Sequence, residues 1–208
     1  TYDLVFEDCK VPKENLLYKE GYGLFAAQAT FDVSRPGVAA QGLGIAQGAL
    51  EETMSYVRQR KQFGQSVSSF QAIQHMLADC AIQIECGRAM LYATCRAMDR
   101  ALAPAIEKGL KEGITIYDAM QELRTPRFTK EAGICKVFCT DAAMKIATDC
   151  IQMCGGIGYM RDFPVEKYFR DAKVLQIYEG TNQIQRNEIA MMMIKDAASK
   201  SRRDPIAA

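Results

Sequence analysis

From about residue 20 onward the apolar residues of this 208-residue chain recur at steps of three and four. That period over long runs restricts the fold to helices packed on helices. From Ile73, the residues Met76, Leu77, Cys80, Ile84 and Leu91 trace one face of a long helix. Cys135, Phe138, Cys139, Ala142, Ile146 and Met153 trace another. A first helix is expected from about Gly23 to Arg60, with Pro36 marking a kink or break, since proline lacks the N–H and crowds the preceding turn. A last one runs from about Asn182 to Ala198, and Gly64 and Gly155-Gly156 supply stops. Long helices joined by short connections predict an all-α chain, an up-and-down four-helix bundle.

Two stretches depart from this pattern. In residues 1–18 the Leu4-Val5-Phe6 run is β-prone and Val11-Pro12 begins an extended segment, which reads as the end of a preceding β-domain and its linker. The bundle domain then covers 19–208, and the start without methionine suggests a fragment of a longer protein. Residues 100–130 form a long excursion between the second and third main helices. Ile116, Met120 and Leu123 suggest a short amphipathic helix there, bounded by Pro104 and Pro126.

The remaining composition mostly excludes. Charged residues make up 25 % with a net charge of +1, and no polybasic arm points to nucleic acid or to an anionic membrane. No apolar run approaches the roughly 20 residues that span a bilayer, and Thr1 to Phe6 carry no secretion signal. The eight cysteines include no C-x-x-C pair, and His75 is the only histidine, so no metal site is expected. Cys80, Cys135, Cys139 and Cys150 fall on apolar faces and read as small core residues of a protein in a reducing compartment.

Several stretches carry chemistry. Gly42-Leu-Gly44-Ile-Ala-Gln-Gly48 resembles a dinucleotide fingerprint but has its third glycine one position late and lies inside a helical pattern, so these glycines read as sites of close helix approach. In Ile177-Tyr178-Glu179-Gly180-Thr181, Thr181 can cap the following helix, Gly180 permits a turn of either backbone sign, and Glu179 sits on the turn among apolar neighbours. From the residues alone Glu179 is either a partner of the helix dipole or a carboxylate suited to proton abstraction. Arg58 to Gly64 similarly reads as solvated charge at a helix end or as an arginine reaching a phosphate. Cys154 to Tyr159 is a helix stop, or a place where bare backbone meets a flat ligand.

Taken in order, Arg60-x-x-Phe63-Gly64, Phe70-Gln71-Ala72-Ile73-Gln74, Leu77-Ala78-Asp79, Gln152-x-x-Gly155-Gly156-x-Gly158-Tyr159, Pro164-Val165-Glu166-Lys167, Arg170-Asp171-Ala172-Lys173 and Ile177-Tyr178-Glu179-Gly180-Thr181 resemble the acyl-CoA dehydrogenase family over nearly the whole chain. The resemblance implies a C-terminal helical domain that binds FAD. It implies α,β-dehydrogenation of an acyl-CoA to a 2-enoyl-CoA, with electrons passing on to an electron-transfer flavoprotein. Glu179 matches the catalytic base, with its own N–H holding the thioester carbonyl. Gly180, Asp32 and Arg35 match positions near the acyl-CoA.

Thr181, Asn182 and Gln183 match positions at FAD. Arg60, Lys61, Gln62, Phe70 and Gln71 match those that hold its adenosine-pyrophosphate half, and Gln152, Met153, Cys154, Gly155 and Gly156 match a stretch on the adenine side. Some of these contacts reach a neighbouring subunit's flavin in relatives, which implies a dimer or tetramer. Some members carry the base at the position of Ser34, which cannot do that work and leaves Asp32 as the rival to Glu179. The 100–130 excursion is longer than the family's usual connection. The alternatives are an acyl-CoA oxidase, or a non-catalytic helical oligomerisation module. The compartment expected is the bacterial cytoplasm, with the mitochondrial matrix as alternative.

Overall fold

The computed structural model describes residues 2–17 and 19–201. Among these, the elements that position the site are α1 (Gly23–Gln59), α2 (Gln71–Glu112), α3 (Ile116–Glu122), α4 (Thr129–Cys154), α5 (Gly156–Tyr159), α6 (Val165–Leu175) and α7 (Asn182–Ser201). The fold is all-α, as the period predicts. The sole sheet among the described residues is a hairpin, β1 (Lys61–Gln62) against β2 (Gln65–Ser66). Its turn residues Phe63 and Gly64 have φ of +53° and +80°. Positive φ at both turn positions matches the twist of a two-residue hairpin loop.

α1 and α4 share the most extensive contact, with α6, α7 and the first half of α2 packed around them. Their interface is built from small residues: Ala39, Ala46, Ala49, Ala142, Ala143 and Ala147 are all buried. At Gly42 the helices come so close that a Cβ would lie 3.1 Å from the Cys139 carbonyl oxygen and 3.4 Å from its carbon. Gly48 faces the Tyr168 ring, with a Cβ position 3.1 Å from its hydroxyl, whereas Gly44 faces open space. Two of the three glycines thus allow close approach, and none forms a phosphate loop. Cys80, Cys135, Cys139 and Cys150 lie in this core, as their spacing suggests, and His75 is exposed.

Neither Pro36 nor Pro104 ends a helix. α1 runs through Pro36 without a break, and Pro36 is buried. A mid-helix proline costs about 3 kcal/mol, but Asp32, Arg35, Val38 and Ala39 are buried around it and hold both flanks. Pro104 likewise does not bound the short helix. α2 continues through it to Glu112 and stops at Gly113, whose φ is +68°. The 100–130 excursion is therefore mostly helix, with α3 folded back on the extended end of α2. Gly109 permits this fold-back, since a Cβ there would sit 3.1 Å from the Ile114 carbonyl oxygen. Thr115 caps α3 by accepting from the Asp118 N–H at 3.1 Å.

The β-prone Leu4-Val5-Phe6 forms no strand, and all three side chains are exposed. A strand needs a neighbour to take its N–H and C=O groups, and no described segment lies beside it.

Gly42 and Gly44 give opposite predictions. Alanine at Gly44 should raise stability by about 0.5–1 kcal/mol, because helix propensity improves at no steric cost. Alanine at Gly42 should lower it by about 1–3 kcal/mol, because the added methyl meets backbone that cannot move aside. Urea unfolding of both variants checks this, and equal effects would refute the close crossing.

Candidate functional site

A carboxylate held in left-handed backbone is the feature around which the site is built. Glu179 has φ of +53° and Gly180 of +90°. For a residue with a Cβ this conformation costs on the order of 1–2 kcal/mol, so the surroundings must hold it. The connection from α6 to α7 supplies the frame. The Asn182 N–H donates back to the Gln176 carbonyl at 3.0 Å and closes the loop. The Thr181 hydroxyl caps α7 by accepting from the Ile184 N–H at 3.3 Å, as its place in the sequence suggests.

α1 and α4 then grip the turn from beneath. Arg35 Nε donates to the Glu179 carbonyl at 3.3 Å, and its guanidinium also pairs with Glu188 on α7 at 3.0 Å. Lys136 Nζ on α4 donates to the Gly180 carbonyl at 3.0 Å and to Asn182 Oδ1 at 2.8 Å. Gln185 Nε2 donates to the same Gly180 carbonyl at 2.6 Å. Among the described residues the carboxylate itself receives one hydrogen bond, from Ser34 Oγ to Oε2 at 2.6 Å. Among the described residues the Glu179 N–H donates to no protein acceptor. Tyr178 donates its hydroxyl to Gln41 Oε1 on α1, and its pKa is raised by burial and by the Glu179 charge, so it stays a donor at neutral pH. This arrangement offers a half-buried carboxylate beside a backbone donor without a protein acceptor among the described residues.

Asp32 and Arg35 are both buried. Asp32 accepts from Arg127 Nε at 2.9 Å and from the Thr129 hydroxyl at 2.8 Å, and Arg35 lies 3.9 Å away. The Oδ2 atom of Asp32 is thus committed to Arg127 and Thr129. Asp32 also forms part of the wall of a cavity of about 1050 Å³ between the first half of α1, the far end of α2 and the α3 segment. Its apolar lining includes Phe25, Val33, Met98, Leu102, Met120 and Phe128, and Arg124 and Arg127 stand beside them. The excursion thus builds a pocket adjoining the site, a consequence its length alone does not reveal.

The remaining expected positions divide by where their side chains go. Gly180 and Thr181 follow Glu179 on the turn and Gln183 is exposed in the first turn of α7, but the buried Asn182 side chain is spent on Lys136, Thr140 and Asp141. Met153 and Cys154 are core residues, with only Gln152, Gly155 and Gly156 of that stretch exposed. Arg60, Lys61, Gln62 and Gln71 are exposed and Phe70 is half-buried beneath Phe63, ring edge to face. From Arg35 to Arg60 is about 38 Å of helix, so the hairpin and Glu179 are not one site within a single copy. Among the described residues no cluster could hold a metal, and no helix is long and apolar enough to cross a membrane.

Sequence reasoning missed Lys136, Gln185 and Glu188. The signal for Lys136 was present: it lies on the buried α4 stripe between Ala132 and Cys139, where a charge is out of place.

Comparison with known proteins adds to this geometry. Residues 21–194 match the family model described as acyl-CoA dehydrogenase, C-terminal domain. The chain is 43 % identical over 198 residues to a cyclohexane-1-carbonyl-CoA dehydrogenase of Geobacter metallireducens, covering 95 % of this chain and 46 % of that protein. It is 37 % identical to a subunit of the caffeyl-CoA reductase-Etf complex of Acetobacterium woodii, covering 94 % of this chain and 45 % of the relative. Among solved structures it resembles an acyl-CoA dehydrogenase complexed with FAD from Bacillus anthracis, with a TM-score of 0.83 at 28 % identity over 95 % of this chain and 33 % of that one. The chain spans less than half the length of the curated relatives it matches.

Burial of Lys136 has a measurable consequence. Desolvation, followed by the Arg35 charge, pushes its pKa from 10.5 down to about 8, against the smaller pull of Asp141 and Glu179. Below that value the ammonium is charged in both folded and unfolded chains, and the full cost of burying it is present. Between pH 8 and 10.5 the folded chain loses the proton first, so the unfolded chain binds more protons and stability rises with pH. Relative to Lys136→Met, the wild-type chain should gain up to about 3 kcal/mol over that window. Urea unfolding of both proteins at several pH values measures it, and a difference that is flat with pH would show that the amine is not desolvated.

Proposed function

The chain belongs to the acyl-CoA dehydrogenase family, as its C-terminal domain, and from that premise we propose that Glu179 removes the α-proton of an acyl-CoA thioester to give a 2-enoyl-CoA. One observation carries the reading: a carboxylate sits in strained left-handed backbone beside its own unspent N–H. Strain of this kind persists where the neighbours over-determine it, and it gathers at functional positions. A thioester carbonyl accepting from that N–H would have its α-carbon presented to the carboxylate, and the N–H would stabilise the charge that develops on the oxygen. The proton goes to Glu179, and Ser34 orients the carboxylate through Oε2.

A bound FAD would supply the hydride-accepting chemistry that the β-carbon requires. The donors proposed to hold it suit a pyrophosphate: Arg60 and Lys61 are exposed, and no carboxylate among the described residues pairs with them. Gln71, Gln152, Gln183 and Thr181 add neutral donors, Phe70 an aromatic face, and Gly155 and Gly156 bare backbone. Asn182, Met153 and Cys154 contribute through their backbone, since their side chains are committed inward. The separation of hairpin and base along α1 supports an oligomer, dimer or tetramer, in which the hairpin of one copy serves the flavin of the next. The caffeyl-CoA reductase-Etf relative supports an electron-transfer flavoprotein as the acceptor of the electrons. Eight cysteines free of disulfides support a reducing compartment, which this reading takes to be the cytoplasm.

On this reading residues 1–18 close a preceding β-domain and the catalytic bundle starts at residue 19; positions 202–208 of the expected 19–208 span lie outside the described residues. The part of the acyl-CoA beyond the thioester runs along α1 past Asp32, Arg35 and Gly180 into the cavity that α3 completes.

The experiment is anaerobic flavin bleaching by a panel of acyl-CoA substrates, with the FAD-loaded parent protein and its Glu179→Gln variant. Bleaching should slow by at least about 10³-fold while FAD stays bound, the loss expected for a missing general base. Bleaching that survives the substitution would remove Glu179 from the mechanism. The cavity has its own test. Met120→Trp, which fills it, should raise KM about tenfold with a smaller change in kcat, and an unchanged KM would show that substrate does not enter there.

A further inference from the structure

Lys136 has no exposed surface, and among the described residues its ammonium donates only to neutral acceptors, the Gly180 carbonyl and Asn182 Oδ1. Burying a charge in this way costs stability, and an apolar side chain of similar length would fill the same space at less cost. Stability therefore does not account for the residue. What the ammonium holds does.

Two successive carbonyls of the left-handed turn are gripped from below, that of Glu179 by Arg35 Nε and that of Gly180 by Lys136 Nζ. Gln185 Nε2 donates to the Gly180 oxygen as well. A carbonyl oxygen has two lone pairs, and one donor leaves the peptide plane free to rock about it. Two donors, one from α4 and one from α7, fix the plane. The orientation of that plane sets the backbone angles at Gly180 and Glu179, and so the direction of the Glu179 side chain and of its N–H. Asn182 ties the same lysine to Thr140 and Asp141, and so anchors the grip to the body of α4.

We propose that Lys136 is a positioning residue for catalysis, whose ammonium pins the Gly180 carbonyl and thereby aims the carboxylate and N–H of Glu179 at the thioester. The proposal rests on the reading of Glu179 as base. Lys136 touches neither substrate nor flavin in this scheme. Its effect passes through the turn, where a small misplacement of reacting groups costs about 100-fold in rate.

The test uses the intact FAD-loaded protein and compares wild type, Lys136→Met and Glu179→Gln. Four quantities are read: kcat per bound flavin, KM for an acyl-CoA, exchange of the substrate α-proton with deuterated solvent, and Tm. For Lys136→Met, kcat per bound flavin and α-proton exchange should both fall about 30- to 100-fold, with KM within about threefold of wild type. Lys136→Gln, which restores a shorter neutral donor, should recover part of that loss. It is read by the same criterion if the Met variant does not accumulate. If exchange and kcat per bound flavin stay within about threefold of wild type and only Tm or KM changes, Lys136 is scaffold and the proposal falls. Glu179→Gln separates the two readings. If it is inactive while Lys136→Met is fully active, only the positioning role is lost. If it keeps α-proton exchange, the base assignment fails whatever Lys136 does.

Discussion

The close crossing of α1 and α4 is the contact on which the rest depends. It is built from alanines and from Gly42, which lies almost against the Cys139 backbone. Larger residues there would push the helices apart. Arg35 on α1 and Lys136 on α4 would then no longer reach the same turn from two sides. The core is thus a distance constraint as well as a source of hydrophobic stability. Its small side chains bury modest apolar area each, and the gain lies in how near the two backbones come.

Above that crossing, the α6–α7 turn shows how a strained conformation is maintained. Left-handed backbone at a glutamate is unfavourable by itself, and no local sequence signal enforces it. It is held by a guanidinium, an ammonium and a buried amide acting on two adjacent carbonyls, together with the cap of Thr181. Arg35 is paired with Glu188 as well, whereas the Lys136 ammonium and the Gln185 amide nitrogen have the Gly180 carbonyl as their shared acceptor, so these two donors depend on the turn for that bond.

The helices, their faces and the buried cysteines were legible because the three-and-four period records which side of each helix is covered. Thr181 as cap and Gly180 as a turn residue were legible because capping and positive φ are local properties. α1 runs on through Pro36 and α2 through Pro104, because a proline's local penalty says nothing of how firmly its flanks are packed. The Leu4-Val5-Phe6 run is β-prone but forms no strand here, since strand propensity becomes a strand only with a partner edge. Lys136 was visible only as an anomaly, a charge on an apolar stripe.

By itself, the sequence determined that this chain is a helical bundle, that Cys80, Cys135, Cys139 and Cys150 fill a core, and that its ordered motifs belong to one family. These follow from periodicity, composition and residue order, which do not need coordinates. Only the tertiary structure decided what surrounds the carboxylate at Glu179. Ser34, Arg35 and Lys136 lie 145, 144 and 43 residues away along the chain, and only their side chains meet there. Only the fold showed that Asp32 is already satisfied, that Asn182 faces inward, and that the 100–130 excursion walls a cavity. The reason is physical. Periodicity records whether a face is buried, but the partner that buries it is chosen by how closely two backbones can approach, and that is a property of the assembled helices.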